Sequence, residues 1–272
     1  SAGKPQTMRE AIQWMCWFSF FSRLYNRGPS GGQLDELLRP FYEKDRADGR
    51  IDDEEAKFYI ACLLLNDPRY YQLAGPGEDG QDLASHVSYL ILEAADWINI
   101  ACNLTVRVHD HMNEDFLFKN KNGWPRFSGD NSLVQGFMRC GYSKELARKR
   151  LAAGCSWMSI PGMEYTLNDL VKINTAKVFE VAYYEMMESP KPPSTQLLWE
   201  LFSKHLEQAV MVTAKGIQFH LAWQDQNEPE LICNLLSQGP VEQGLDVTKS
   251  AMYFNMCIDG AGIATVADSF AA

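Results

Sequence analysis

Apolar residues recur three and four positions apart along much of the chain, which is the spacing of one helix face. The first such run, residues 8–25, predicts a buried helix. Another begins after Asp52, whose side chain is placed to cap it, and a closing helix starts at Ile263. The same periodicity predicts further helices over 34–45 with an interruption near Pro40, 82–98, 114–119, 133–140, 143–151, 166–187, 195–219, 228–236 and 241–244.

Strand-like alternation is rarer and confined to short segments. Over residues 102–109, Leu104, Val106 and Val108 alternate with polar residues, which predicts a half-buried strand. Residues 251–258 and the short segment 126–127 also favour strands. Many helices with a few short strands between them predict a helix-rich α/β fold.

Composition excludes several classes of protein. The 272 residues are 46% hydrophobic, enough for the core of one large domain or two medium ones. A net charge of −10 argues against a nucleic-acid partner, which requires clustered Lys and Arg. No apolar run reaches the roughly 18 residues of a membrane span. The seven widely spaced cysteines predict free, mostly buried thiols and a cytoplasmic location.

Three short motifs suggest ligand sites but lack essential parts. In a calcium-loop alignment of residues 44–55, Lys44 and Arg46 would occupy ligand positions, so a turn and helix cap is predicted instead. His109 and His111 could face the same way, yet no second cluster completes a metal site. We expect a strand-end pair that is solvated or hydrogen-bonded, with a substrate-facing role for His109 as the alternative. The turn at 259–264 lacks the third glycine of a dinucleotide fingerprint.

Cys155 carries the most specific candidate chemistry. It lies between two predicted helices, after Gly154 and before Pro161-Gly162, which predicts a loop tip. An ionic thiolate nucleophile requires a nearby base, and no histidine lies within about forty residues of it in sequence. A structural thiol is the alternative.

Six stretches resemble, in the same order, motifs of the glycyl radical enzymes, the pyruvate formate-lyase superfamily. The strand at 103–109 is similar to the N-L-[ST]-[VL]-R motif of that family. The others are the turn at 123–130, the segment 141–155 ending in Gly-Cys, the helix at 174–180, and the closing blocks at 239–248 and 253–269.

The resemblance implies a ten-stranded α/β barrel with Cys155 on a central finger loop. It also implies that a glycyl radical takes the thiol hydrogen of Cys155, whose thiyl radical then takes a hydrogen atom from a small organic substrate. The expected activity is that of a lyase or a formate acetyltransferase-like acyltransferase that cleaves a C–C or C–X bond. The implied partners are the substrate, a radical SAM activating enzyme and a second subunit in a homodimer. No cofactor or metal is expected on this chain.

The sequence departs from the family pattern at two places. It stops at Ala272, before the R-V-x-G-Y motif, so we expect 1–272 to be one incomplete barrel segment that is inactive alone because the glycyl radical domain is missing. Trp157 occupies the place of a frequent glutamate, and Ser156 that of a second cysteine.

Glu164 is predicted to replace that glutamate as an acid/base, with a helix-start role as the alternative. His109, Phe127 and Trp157 are predicted to line the substrate pocket. Two other functions stay open: radical addition of the benzylsuccinate synthase type, and a degenerate, non-catalytic scaffold.

Overall fold

The computed structural model describes residues 3–25, 31–67, 69–77, 79–118, 126–154 and 157–272. These residues form two compact units. The first unit comprises Ser1–Glu164 and Leu231–Gln238, and the second comprises Tyr165–Glu230 and Gly239–Ala272.

The helices and strands are as follows. The helices are α1 (Met8–Tyr25), α2 (Leu34–Ala47), α3 (Asp53–Asn66), α4 (His86–Ile98), α5 (Glu114–Phe118), α6 (Asp130–Arg139), α7 (Lys144–Arg148), α8 (Thr175–Glu188), α9 (Thr195–Asn227), α10 (Leu231–Leu236), α11 (Pro240–Gln243), α12 (Val247–Ser250) and α13 (Ile263–Ala271). The strands are β1 (Gly32–Gln33), β2 (Tyr71–Leu73), β3 (Leu104–Val108), β4 (Arg126–Gly129), β5 (Leu151–Ala152), β6 (Met158–Ser159), β7 (Glu164–Asn174) and β8 (Tyr253–Ala261).

A four-stranded parallel sheet organises the first unit, with its strands in the order β1-β2-β3-β4. Parallel neighbours require crossover connections, and α2, α3, α4 and α5 provide them. On one face, Leu73 and Val106 pair across β2 and β3 and pack into the main hydrophobic core with the helices. Because side chains alternate along a strand, Gln72 and Arg107 belong to the opposite face.

Local signals explain where the helices of this unit begin and end. Asp52 accepts a hydrogen bond from the backbone amide of Glu55 at 2.8 Å, which confirms the predicted cap of α3 and the turn-and-cap interpretation of the calcium-like segment. The predicted interruption at Pro40 is wrong, because α2 continues through it to Ala47.

The second unit consists of a helical group and a two-stranded sheet. The long helices α8 and α9 pack with α13 around a small core that includes Ala182, Phe202 and Val266. Strands β7 and β8 form the sheet. No helix in the described residues combines the length and apolarity that a bilayer crossing requires.

The predicted helix over 166–187 is wrong in its first part. Residues up to Asn174 form β7, and only Thr175 onwards is helical. The physical reason is visible at the end of the strand, where half-buried Val171 and buried Ile173 alternate with exposed Lys172 and Asn174. Asn174 then caps α8 by accepting a hydrogen bond from the Lys177 amide at 3.0 Å. The helix-start interpretation of Glu164 fails for the same reason.

Candidate functional site

A short antiparallel hairpin flanks the predicted catalytic cysteine. Strands β5 and β6 pair with Leu151 opposite Ser159 and Ala152 opposite Met158. The Ala153 amide donates to the Trp157 carbonyl at 3.1 Å, which extends the pairing toward the centre of the segment. We call the described residues on either side of the cysteine, 151–154 and 157–159, the finger. Cys155 lies outside the described residues, as does Ser156, so its predicted role stays a prediction.

Gln72 fixes the backbone of the finger to the parallel sheet. Its side chain is fully buried, and its Oε1 accepts the Ala152 amide at 3.0 Å. Positions 152 and 158 face each other as a pair without mutual hydrogen bonds, because the neighbouring position 153 bonds to 157. The Ala152 amide therefore points away from the hairpin, and Gln72 satisfies it.

Arg107 fixes the segment just before the finger. This β3 side chain is buried, and its Nη1 donates to the carbonyls of Arg148 at 2.9 Å and Arg150 at 3.2 Å. A buried carbonyl without a hydrogen bond costs about 1–3 kcal/mol. Two strands of the sheet thus satisfy outward-facing backbone groups along one arm of the hairpin.

An ion pair closes the base of the finger. Arg150 Nη1 lies 2.9 Å from Glu164 Oε2, and the two side chains are only 1% and 0% exposed. Glu164 Oε2 also accepts the Ile160 amide at 2.8 Å, so the pair connects the residues before and after the hairpin. The Arg150 guanidinium lies over the rings of Phe137, at 3.8 Å, and Tyr142, at 4.3 Å.

The predicted acid/base residue is therefore engaged with a cation. Burial raises the pKa of Glu164, while the Ile160 amide and Arg150 oppose that rise by stabilising the carboxylate. Within the described residues, its second oxygen has no hydrogen-bond partner, nor do Arg150 Nε and Nη2. The structure thus leaves one carboxylate oxygen of Glu164 unengaged, and its catalytic role stays a prediction.

Trp157 packs back onto the finger itself. It is buried, and its ring centroid lies 6.0 Å from that of Tyr70. A Cβ at Gly154 would come within 1.9 Å of the Trp157 ring. The close approach explains why glycine is required at position 154, and it gives Trp157 a packing role beside the predicted substrate contact.

The two other predicted pocket residues lie at neighbouring strands, one just after β3 and one within β4. His109 follows β3, and its Nε2 is 3.1 Å from Asp82 Oδ1, with only 4% of the histidine side chain exposed. This pair agrees with the hydrogen-bonded interpretation of the His109-Asp110-His111 motif, and the substrate-facing role of His109 stays a prediction. Phe127 lies opposite Val106 in β4, and its side chain is outside the described set.

Two contributors to the site were missed by sequence reasoning. Gln72 is a polar residue between apolar neighbours in a three-residue strand, and Arg150 lies at the end of the basic run of residues 144–150, two positions after α7. A lone buried polar residue in a short strand is a weak signal, because its partner, Ala152, is 80 positions away in the sequence.

The described residues contain no group of three or more His, Cys, Asp and Glu side chains that could hold a metal ion. None of the six cysteines that the structure describes forms a disulfide; five are half-buried and Cys140 is exposed, rather than mostly buried as predicted.

Comparisons with known proteins agree on one family. A family model described as pyruvate formate lyase-like matches residues 1–272. The chain is 27% identical to a trans-4-hydroxy-L-proline dehydratase of Clostridioides difficile, over 100% of this chain and 40% of that protein. It is 24% identical to an isethionate sulfite-lyase of Nitratidesulfovibrio vulgaris, over 66% of this chain and 25% of that protein.

Structural comparison supports the same fold. A glycyl radical enzyme from Archaeoglobus fulgidus superimposes with a TM-score of 0.87 and 24% identity, over 99% of this chain and 40% of that one. The α/β fold predicted from the sequence is thus confirmed, and the chain spans at most 40% of the length of these relatives.

Proposed function

The chain belongs to the pyruvate formate lyase-like family of glycyl radical enzymes, and on that premise we propose that it forms the core of a radical lyase. In this proposal Cys155 abstracts a hydrogen atom from a small organic substrate, and a C–C or C–X bond of the substrate radical then breaks. The hairpin β5–β6, held on the polar face of the parallel sheet, is the observation that carries the proposal.

Cys155 acts as a reversible hydrogen-atom carrier. The glycyl radical supplies the unpaired electron by taking the thiol hydrogen. Cys155 then takes one hydrogen atom from a substrate C–H bond and returns one to the product radical after the leaving group has departed. No net oxidant or reductant is consumed. A thiol that is sheltered from water stays neutral, which is the form that hydrogen-atom transfer requires.

Elimination is the reaction class that the relatives support best. Two of them are named as a dehydratase and a sulfite-lyase, so cleavage of a C–X bond is favoured over acyl transfer. Ser156, in place of the second cysteine of pyruvate formate-lyase, also argues against acyl transfer. Radical addition, which Trp157 in place of the acid/base glutamate permits, and a non-catalytic scaffold are the alternatives from the sequence. The named relatives favour neither.

The wider assembly follows from the same premise. We propose that the four-stranded sheet belongs to a ten-stranded barrel, with Cys155 on its finger loop. The complete cytoplasmic enzyme would be a homodimer that carries its glycyl radical on a C-terminal domain, installed by a radical SAM activating enzyme.

Replacement of Cys155 tests the proposal directly. In the complete enzyme, we expect Cys155→Ala to abolish turnover and to leave the glycyl radical signal intact. Electron paramagnetic resonance after anaerobic activation measures the radical, and a product assay with candidate substrates measures turnover. Cys140→Ala, which removes an exposed thiol, is the matched control. Turnover that survives Cys155→Ala would rule out the proposed carrier.

A further inference from the structure

We propose that Gln72 and Arg107 are positioning residues for hydrogen-atom transfer, acting through the finger rather than on the substrate. The inference rests on the proposed function, because it assigns these residues to the reaction of Cys155. Its physical basis is a set of three hydrogen bonds: Arg107 donates to the carbonyls of Arg148 and Arg150, and Gln72 accepts the Ala152 amide.

The first step concerns the backbone that these side chains satisfy. Strand β5 has only two residues and pairs with β6 on one side. Its other side would present unpaired backbone groups, as every edge strand does. The Ala152 amide and the Arg150 carbonyl belong to that side, and both residues are buried, so water cannot replace the missing strand.

The second step concerns the part of the fold from which the two side chains project. Gln72 lies on β2 and Arg107 on β3, and the register pairs Gln72 with Thr105, two positions before Arg107. The two side chains therefore project from neighbouring strands on one sheet face. Because the sheet is backed by the main hydrophobic core, it provides a rigid reference for the position of the finger.

The third step concerns the sensitivity of the reaction to position. Bond-making steps require the reacting atoms to approach within about 3–3.5 Å, and a displacement of about 1 Å can reduce the rate about a hundred-fold. Position 155 lies only three positions after Ala152, with two residues between them. Loss of the hydrogen bond between Gln72 and Ala152 is thus expected to displace the sulfur of Cys155 relative to the substrate. It removes no group that binds the substrate.

The experiment uses Gln72→Met and Arg107→Met in the complete enzyme. Met fills the space of both side chains but donates and accepts no comparable hydrogen bond. Arg107→Lys restores one donor and serves as the conservative rescue. Thr105→Val is the matched control, because Thr105 pairs with Gln72, lies two positions before Arg107 on the same sheet face, and is close in shape to valine.

Two measurements separate anchoring from catalysis. Amide hydrogen exchange of the finger peptide, measured by mass spectrometry before activation, reports the Ala152 anchor. We expect this exchange to accelerate at least ten-fold in Gln72→Met and to stay unchanged in Thr105→Val.

The second measurement is turnover after activation. In Gln72→Met and Arg107→Met we expect kcat to fall about ten- to hundred-fold, with KM nearly unchanged and the glycyl radical signal undiminished. Arg107→Lys should recover part of the loss in kcat. If Arg107→Met does not fold, the same two measurements on Gln72→Met and Arg107→Lys test the positioning role.

The outcomes distinguish this inference from the proposed function. Unchanged finger exchange in Gln72→Met, or accelerated exchange with wild-type kcat, overturns the positioning role while turnover still depends on Cys155. Turnover that persists in Cys155→Ala overturns the proposed function, and the positioning role with it.

Discussion

At the scale of single residues, the ion pair between Arg150 and Glu164 has the strongest energetic consequences. Removing one partner of a buried pair leaves an uncompensated charge, whereas replacing both partners is often close to neutral. The cation lies over two aromatic rings, and it has no other charged partner among the described contacts.

We therefore expect Glu164→Gln to lower the free energy of unfolding by about 3 kcal/mol, because Arg150 stays buried without its counter-charge. The double variant Arg150→Met with Glu164→Gln should recover most of this loss, since the glutamine oxygen still accepts the Ile160 amide. Urea denaturation of the chain measures both effects. Equal stability of wild type and Glu164→Gln would contradict the buried pair.

The same variant tests the predicted acid/base role of Glu164. If its carboxyl group transfers a proton during turnover, Glu164→Gln in the complete enzyme should lose activity even under conditions where it is fully folded. Undiminished kcat in the folded variant would leave Glu164 with a structural role alone.

At the scale of elements, one polar contact joins three helices of the first unit. The Tyr42 hydroxyl in α2 donates to Asp53 Oδ1 of α3 at 2.6 Å, and His86 Nε2 of α4 lies 3.0 Å from Asp53 Oδ2. The Tyr42 hydrogen bond is the main cause that lowers the pKa of Asp53, whereas burial and Asp53 together raise the pKa of Tyr42 to about 12.

Tyr42→Phe should lower stability by about 1 kcal/mol at neutral pH, a modest value because Asp53 is partly exposed. A lowered carboxyl pKa contributes stability above its unfolded value and loses it as pH falls through the folded pKa. The difference between wild type and variant should thus shrink on acidification. Thermal unfolding across that pH range measures it.

Tyr59→Phe is the matched control for this prediction. Its hydroxyl donates to Glu55 within the same helix, so it connects no separate elements. A smaller stability loss is expected there. A Tyr42→Phe deficit that stays constant from neutral to acid pH would contradict the assigned coupling with Asp53.

At the scale of the whole molecule, helix α1 is apolar on more than one side. Met8, Ala11 and Ile12 enter the main core, whereas Trp14, Trp17, Phe20 and Phe21 are each about half exposed. A contiguous exposed patch of this kind promotes association in water.

We expect the isolated 272-residue chain to self-associate with increasing concentration. The double variant Trp17→Glu with Phe21→Lys should reduce association, because it replaces two exposed aromatic rings with charged groups. The new Glu and Lys, four positions apart, also favour the helix. Sedimentation velocity measures the mass distribution, with Leu37→Glu on α2 as the control for a single exposed apolar residue. A monomer of wild-type chain at every concentration would contradict the expectation.

The sequence by itself determined the features that depend on neighbours in the chain. The periodic helices, the Asp52 cap and the alternating strand β3 follow from local spacing, and the ordered motifs identified the family. The helix predicted over 166–187 was wrong in its first part, where the alternating residues form β7. The two- and three-residue strands were not predicted, because they are too short to show a period.

Only the tertiary structure decided how the finger is held. Gln72 reaches Ala152 across 80 positions, Arg107 reaches Arg150 across 43, and Glu164 faces Arg150 instead of solvent. A side chain's partner is set by which backbone groups remain unsatisfied after the strands have paired. That choice is made when distant segments meet, so no local pattern in the sequence encodes it.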